Sequence, residues 1–318
     1  MEQSAPSLEL EDRTCPLGCA AGDDPVFSGT DRLHGLPGEF SIVKCRTCGL
    51  MRTNPRPTAE SIGTYYPADY SPYLGTRVDG STPGMSPLWK RALKVLVTPN
   101  ESRLPPTQSG RMLEIGCASG VFMHRMASAG WEVEGIEFSP QAATNARALG
   151  YSVHAGSLEA APDPEEPYDL IVGWMVLEHL HEPILALEKL RRWIRPGGWL
   201  VLSVPNAGSV EFRVFKTRWY ALQLPTHLTH FTPKTLQATL ARAGWRTDRI
   251  LHQQNLGNLV ASLGYCLEDL GIGEQITEKF TKFPERLTLG HYLLFPIATL
   301  ASWFGQTGRM TVWARVPG

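Results

Sequence analysis

The chain has 318 residues, 42% of them apolar and 19% charged, with 30 basic residues against 31 acidic. This is enough apolar material for one large domain or two smaller ones, while the charge is too evenly balanced for an overall electrostatic grip on nucleic acid or an anionic membrane. The opening MEQSAPSLELEDR has neither the charged nor the apolar region of a signal peptide, and no run is long enough to span a bilayer, so a cytoplasmic protein is expected.

The first feature along the chain is a group of cysteines. C-P-L-G-C carries Cys15 and Cys19, C-R-T-C-G-L carries Cys45 and Cys48, and 25 residues separate the two knuckles. Clustered cysteines without a secretion signal read as metal ligands, and four thiolates with no open position suit a structural Zn2+. Gly49 permits the left-handed turn that faces backbone amides toward the sulfurs. The segment 12–57 is therefore expected to be a zinc-ribbon-like module. A connector, 58–106, follows, with helices expected near Thr58–Tyr66 and Pro87–Val97 around a loop rich in Gly, Pro, Ser and Thr.

From Arg111 onward, short apolar runs alternate with amphipathic stretches. RMLEI, WEVEGIE, YDLIVGWM, WLVLSVPN, RTDRILHQQ and MTVWARV read as strands, with a shorter one before Gly156. VFMHRMASAG, SPQAATNARALG, PILALEKLRRWI and PKTLQATLARAG read as helices, several closed by glycine, with Ser139 as N-cap before Pro140. Strands alternating with helices imply an α/β domain, a Rossmann-like doubly wound and mostly parallel seven-stranded sheet, over 107–254 and 307–318. Ligands of such sheets sit beyond the carboxyl ends of the strands. The apolar segment 255–306, ending in GHYLLFPIATLASWF, is expected to form a helical cap over the acceptor pocket. A weak membrane-surface contact through 290–304 is the other reading, although basic residues do not line that stretch.

The stretch MLEIGCASG follows the first strand of this domain. It lacks the second and third glycines of a dinucleotide fingerprint, and no Gly-Lys-Ser/Thr follows it as in a phosphate loop. Glu114, two residues before Gly116, would repel a polyphosphate but suits a cationic ligand such as S-adenosylmethionine, with its ammonium and sulfonium. Glu137, 21 positions after Gly116, ends the second strand, where a carboxylate can accept from both ribose hydroxyls. Gly156, Ser157 and Leu158 are placed to contact adenine. Cys117 reads as a small loop residue rather than a nucleophile, having no base near it in sequence.

Five segments in order, LEIGCASG, VEGIEFSP, YDLIVGWMVLEHLHEP, RPGGWLVLSVPN and HLTHFTPKTLQATLARAGW, resemble the successive motifs of class I S-adenosylmethionine-dependent methyltransferases. The resemblance is nearest to ubiquinone-pathway O-methyltransferases and to sugar or polysaccharide methyltransferases. It implies that Glu114 and the loop Gly116, Cys117, Ala118 and Gly120 cradle the methionine part, with Ala118 standing where the family has a glycine. It further implies ribose on Glu137, adenine against Phe138, and Trp174 near the sulfonium. Tyr66 or Tyr70 would touch the cofactor from the connector. In relatives of this kind a zinc-ribbon-like segment often precedes the cofactor domain, and a divalent ion can be held at positions matching Glu178 and His179.

Methyl transfer to a hydroxyl needs alignment and a base. Glu178 and His179 follow the fourth strand; His227 and His230 follow the fifth, on the same edge. Histidine has a suitable unperturbed pKa. The resulting expectation is an enzyme of biosynthesis that O-methylates a small-molecule or glycan hydroxyl. The alternatives are an RNA methyltransferase using the cysteine module to bind substrate, and a non-catalytic binding module that keeps the fold. The acceptor and the oligomeric state are not legible in the chain.

Overall fold

The computed structural model describes residues 8–66, 104–285 and 288–317. Three sheets organise them. The N-terminal segment contributes β1 (Leu10–Glu11), β2 (Asp23–Thr30), β3 (Glu39–Cys45), β4 (Met51–Thr53) and β5 (Arg56–Pro57). Among the described residues β1 pairs with β5 alone, and β2, β3 and β4 form an antiparallel meander.

The large sheet holds β6 (Arg111–Ile115), β7 (Glu132–Glu137), β8 (Ser152–Ala155), β9 (Tyr168–Trp174), β10 (Ile194–Pro205), β12 (Arg246–His252) and β13 (Arg309–Arg315). Their spatial order is β12-β13-β10-β9-β6-β7-β8. Pairing is parallel except at β13, which runs antiparallel to both neighbours. The order reverses between β6 and β9, so the crevice outside their carboxyl ends is the place a ligand is expected.

Sequence alternation explains how the sheet is covered. In β6, Met112 faces α1 (Val121–Ser128) and α2 (Pro140–Ala148), packing with Met123, Met126, Ala143 and Ala146. Leu113 and Ile115 join the opposite core, with Leu187, Leu190 and Trp193 of α3 (Pro183–Trp193) and, after α4 (Val210–Phe215), Leu236 and Leu240 of α5 (Pro233–Arg242). Each fully buried side chain of this size contributes about 1.5–3 kcal/mol. Local signals agree: Ser139 caps α2 by accepting from Ala142 N, and Thr232 and Thr235 form a capping box on α5.

Several details differ from the sequence reading. No helix spans Thr58–Tyr66; that stretch makes one 3-10 turn, Ile62–Tyr65. Thr58 Oγ1 instead accepts from Ser61 N in a local turn, and Ser61 Oγ donates to Glu9 O beside β1. The Pro196–Gly198 turn is a register shift inside β10 rather than a break. Between β10 and α5 lie two further 3-10 turns, Lys216–Arg218 and Tyr220–Leu222, and the two-residue strand β11 (Thr229–His230), which the sequence did not reveal. β11 pairs with β4, so the sheet of the cysteine module is completed from the segment after β10 and is not confined to 12–57. The expected helix Pro87–Val97 and Tyr70 lie outside the described residues.

The insertion holds α6 (Gly257–Asp269), α7 (Glu274–Thr281) and α8 (Leu289–Trp303). α6 is seated on the 3-10 turns after β10, where Ser262 Oγ accepts from Tyr220 N at 2.8 Å and Tyr220 stacks on Tyr265. α8 buries Ala298 and turns Leu289, Leu293, Ile297 and Leu300 outward, ending at exposed Trp303 and Phe304. Among the described residues no helix is long and apolar enough to cross a membrane.

Candidate active site

The loop leaving β6 forms a cradle against β7. Glu137, 4% exposed, accepts from Ala118 N through Oε2 and from Ser139 N through Oε1, both at 2.8 Å. Burial raises its pKa, and the amides of Ser139, Ala118 and Phe138 oppose that. Glu114 is also buried, its pKa raised well above the ordinary value by burial, and among the described residues its Oε2 has no hydrogen-bond partner. A buried carboxylate oxygen without a donor is costly and invites a cationic or N–H-bearing ligand group. Trp174 offers a counterpart, a buried indole N–H without a partner among the described residues, its ring edge-on to Phe122 at 5.1 Å. Phe138 is 54% exposed beside the end of β7, a free ring face for a base.

Gly116 has φ +66°, and a Cβ there would come within 2.5 Å of Val176 Cγ2, so only glycine keeps the loop off the segment after β9. Ala118, where the resembling family has glycine, also takes a positive φ, 47°. That conformation costs an L-residue about 1–2 kcal/mol.

Two expected contacts are corrected. Cys117 turns inward, 4% exposed in the α1/α2 core, and its N–H, like that of Gly116, donates to Ile136 O. Burial pushes its thiol far up, so it neither reaches a ligand nor acts as a nucleophile. Leu158 is also buried in the core, leaving its backbone alone for a ligand; Ser157 Oγ accepts from Ala160 N.

The second constellation sits at the same carboxyl edge. The 3-10 turn Leu177–His179 follows β9. Leu228 N donates to Glu178 O at 2.8 Å, zipping that turn to the segment after β10. This brings His179 and His227 together, rings perpendicular with centroids 4.6 Å apart. His179 Nδ1 lies 2.9 Å from Thr226 O and 2.9 Å from Tyr66 Oη, and His227 Nδ1 lies 2.9 Å from Ala221 O. Carbonyls only accept, so each ring carries its proton on Nδ1 and leaves an Nε2 lone pair. Burial lowers both pKa values, to about 4 for His179, so both rings are neutral near pH 7 and weaker bases than the unperturbed imidazole the sequence suggests. His179 is the partly exposed member of the pair.

Glu178, fully buried, has neither oxygen hydrogen-bonded among the described residues, and burial lifts it to about 8. Ligand atoms of Glu178, His179 and His227 all lie within 4.8 Å of one another, so the trio could hold a cation. His230 stands outside the pair; its Nε2 faces Thr53 Oγ1 at 3.3 Å across the β4–β11 seam, and burial lowers it to about 3.

The four clustered cysteines converge, with all sulfurs within 4.8 Å and Cys15 Sγ 3.5 Å from Cys48 Sγ. A tetrahedron with metal–sulfur bonds of about 2.3 Å has edges of about 3.8 Å, so this set can hold a zinc-sized ion. Burial raises the Cys45 thiol, but the amides of Cys48 and Thr47 outweigh it and bring it to about 7. The three-residue spacer of the first knuckle has a local cause. Gly18, at φ +77°, donates its N–H to Cys15 O, as Gly49 does to Cys45 O in the second knuckle.

A doubly wound sheet of this order with a reversed last strand, carrying a glycine loop after its first strand and an acid ending its second, defines a class I S-adenosylmethionine-dependent methyltransferase. A family model described as a methyltransferase domain matches residues 88–250, half of the chain, and the chain belongs to that family. Among curated proteins, it is 33% identical over 145 residues to the ubiquinone biosynthesis O-methyltransferase of Paraburkholderia xenovorans, 42% of this chain and 62% of that protein. Against the protein of that name from Thiobacillus denitrificans it is 28% identical over 159 residues, 46% of this chain and 68% of the relative. The chain thus spans about two thirds of the length of these relatives or slightly less. A solved S-adenosylmethionine-dependent methyltransferase from Mesorhizobium loti aligns with 71% of this chain and 96% of its own, at 20% identity and a TM-score of 0.44.

Proposed function

We propose that this methyltransferase transfers its methyl group to a hydroxyl of a small molecule or glycan, with His179 as the base. The observation carrying this is the His179–His227 pair, neutral and Nδ1-anchored beside the cradle. When bound, S-adenosylmethionine supplies a methyl on a sulfonium, open to in-line displacement. Glu114 would face its ammonium, Glu137 its ribose hydroxyls and Phe138 its adenine. The Nε2 lone pair of the partly exposed His179 takes the acceptor's hydroxyl proton, while His227, edge-on behind it, limits the ring's rotation. The four cysteines hold a structural Zn2+ in this reading, and the insertion 255–306 forms the acceptor-side cover.

The test is transfer of labelled methyl from S-adenosylmethionine to a panel of phenolic and glycan hydroxyls, with an RNA pool as comparison. Label found only in RNA overturns the proposal in favour of nucleic-acid methylation. The bare carboxyl of Glu178 favours a second reading, a divalent ion on Glu178, His179 and His227 that would lower the pKa of the acceptor hydroxyl. Turnover abolished by a chelator and restored by added Mg2+ or Zn2+, with the cysteine-bound metal still in place by elemental analysis, would select that reading over the base.

A further inference from the structure

Tyr66 Oη, 2.9 Å from His179 Nδ1, is a contact between segments 113 positions apart. Only the Nδ1–H can serve the Thr226 carbonyl, so Tyr66 Oη accepts from the same proton, on the ring side opposite the Nε2 lone pair. The place of Tyr66 is inherited from the cysteine module. Its neighbour Tyr65 packs edge-on against Phe40 of β3 and donates its hydroxyl to Pro37 O, while Ser61 Oγ donates to Glu9 O. Strand β3 ends in Cys45, a member of the thiol cluster. A second tie runs from the same module to the other histidine. Thr53 Oγ1 donates to His227 O at 2.7 Å, and Thr53 N to Leu228 O at 3.0 Å. Arg56 adds a bond to His181 O at 2.8 Å. The module therefore grips both loops that carry the histidine pair.

We propose that Tyr66 is a positioning residue for His179, and that through it the cysteine module sets the orientation of the base. The proposal rests on His179 being that base, and it gives the module a task within the catalytic half in place of a separate substrate-binding one.

The test compares the full chain with Tyr66→Phe, using 15N-labelled histidine. In the native protein His179 should show a single Nδ1–H tautomer. Tyr66→Phe should shift or split the His179 signals and lower kcat on whichever acceptor the hydroxyl panel identifies by about tenfold, the value of one hydrogen bond. Its cysteine-bound metal by elemental analysis should stay unchanged. Thr53→Val, which removes the hydroxyl bond of the second tie and keeps its backbone bond, should disturb the His227 signals, and Thr53→Ser should restore them. Unchanged His179 signals in Tyr66→Phe overturn the proposal. A fully active His179→Gln would instead remove the base reading, while the Tyr66→Phe spectra still decide separately whether Tyr66 positions the ring. Should Tyr66→Phe not fold, Tyr66→Leu, which likewise removes the hydroxyl and adds no labelled ring, gives the same spectroscopic comparison.

Discussion

Replacing Glu137 by glutamine keeps the shape of the side chain and removes one acceptor oxygen. Each carboxylate oxygen now accepts a backbone N–H at 2.8 Å, one from Ala118 and one from Ser139. Whichever way the amide is turned, its NH2 must face one of those donors, leaving a buried N–H unmatched. That costs about 1–3 kcal/mol, so Glu137→Gln should be less stable by that amount even without ligand. The ribose then also meets an amide in place of a carboxylate and loses a charge-assisted bond, about 1.5–3 kcal/mol. At about 1.4 kcal/mol per decade, S-adenosylmethionine affinity should fall about 10- to 150-fold. Calorimetry with S-adenosylmethionine and urea unfolding of the ligand-free protein read the two effects separately. An affinity within about threefold of the native value would refute the assignment of Glu137 to the cofactor.

Ala118→Gly should relieve the positive φ at that position, gaining about 1 kcal/mol or less after the entropy of glycine and raising Tm by about 2–4 °C with unchanged cofactor affinity. Cys117→Ala should leave cofactor affinity and activity intact, since its thiol is buried in the α1/α2 core; lost binding in calorimetry would contradict the inward orientation. On the proposed thiolate zinc, the chain should purify with one metal and Cys45→Ser with less by elemental analysis, and stripping the metal should lower Tm by about 10 °C or more. His230, lowered to about 3 in the folded protein, contributes stability present above its unfolded value of about 6.5 and lost as pH falls toward 3, by about 1.4 kcal/mol per pH unit. Glu211, raised to about 7 by burial, acts in the opposite sense, its contribution fading as pH rises from about 4.3 through 7. Urea midpoints of His230→Gln should therefore depend less on pH below about 6.5 than those of the native chain.

The order of strands and helices was legible because each carries its own period: RMLEI alternates between two cores, and α3 buries Ala186, Leu187, Leu190 and Trp193 at helical spacing. The acids Glu114 and Glu137 were legible because a loop between two strands places them from either side. The direction of Cys117 was not, since a loop residue has no period to say which way it faces. The two residues of β11 are too short to show a pattern, and their partner β4 lies far back in the chain. The histidine pair could be assembled only as candidates on one edge, because the bonds that join it run between Glu178 and Leu228, Thr226 and His179, and Tyr66 and His179. Such contacts follow from the fold as a whole. Gly18 is a signal that the sequence does carry, a left-handed residue that explains the longer first knuckle.

The most direct measurement places isotope-labelled methyl from S-adenosylmethionine on product and locates the label by NMR, for the native chain and for His179→Gln. The expected result is label in a methyl ether with the native chain, and little or none with His179→Gln although it still binds S-adenosylmethionine. Label on nitrogen or carbon, or a methyl ether formed equally well by His179→Gln, would contradict hydroxyl methylation by a histidine base.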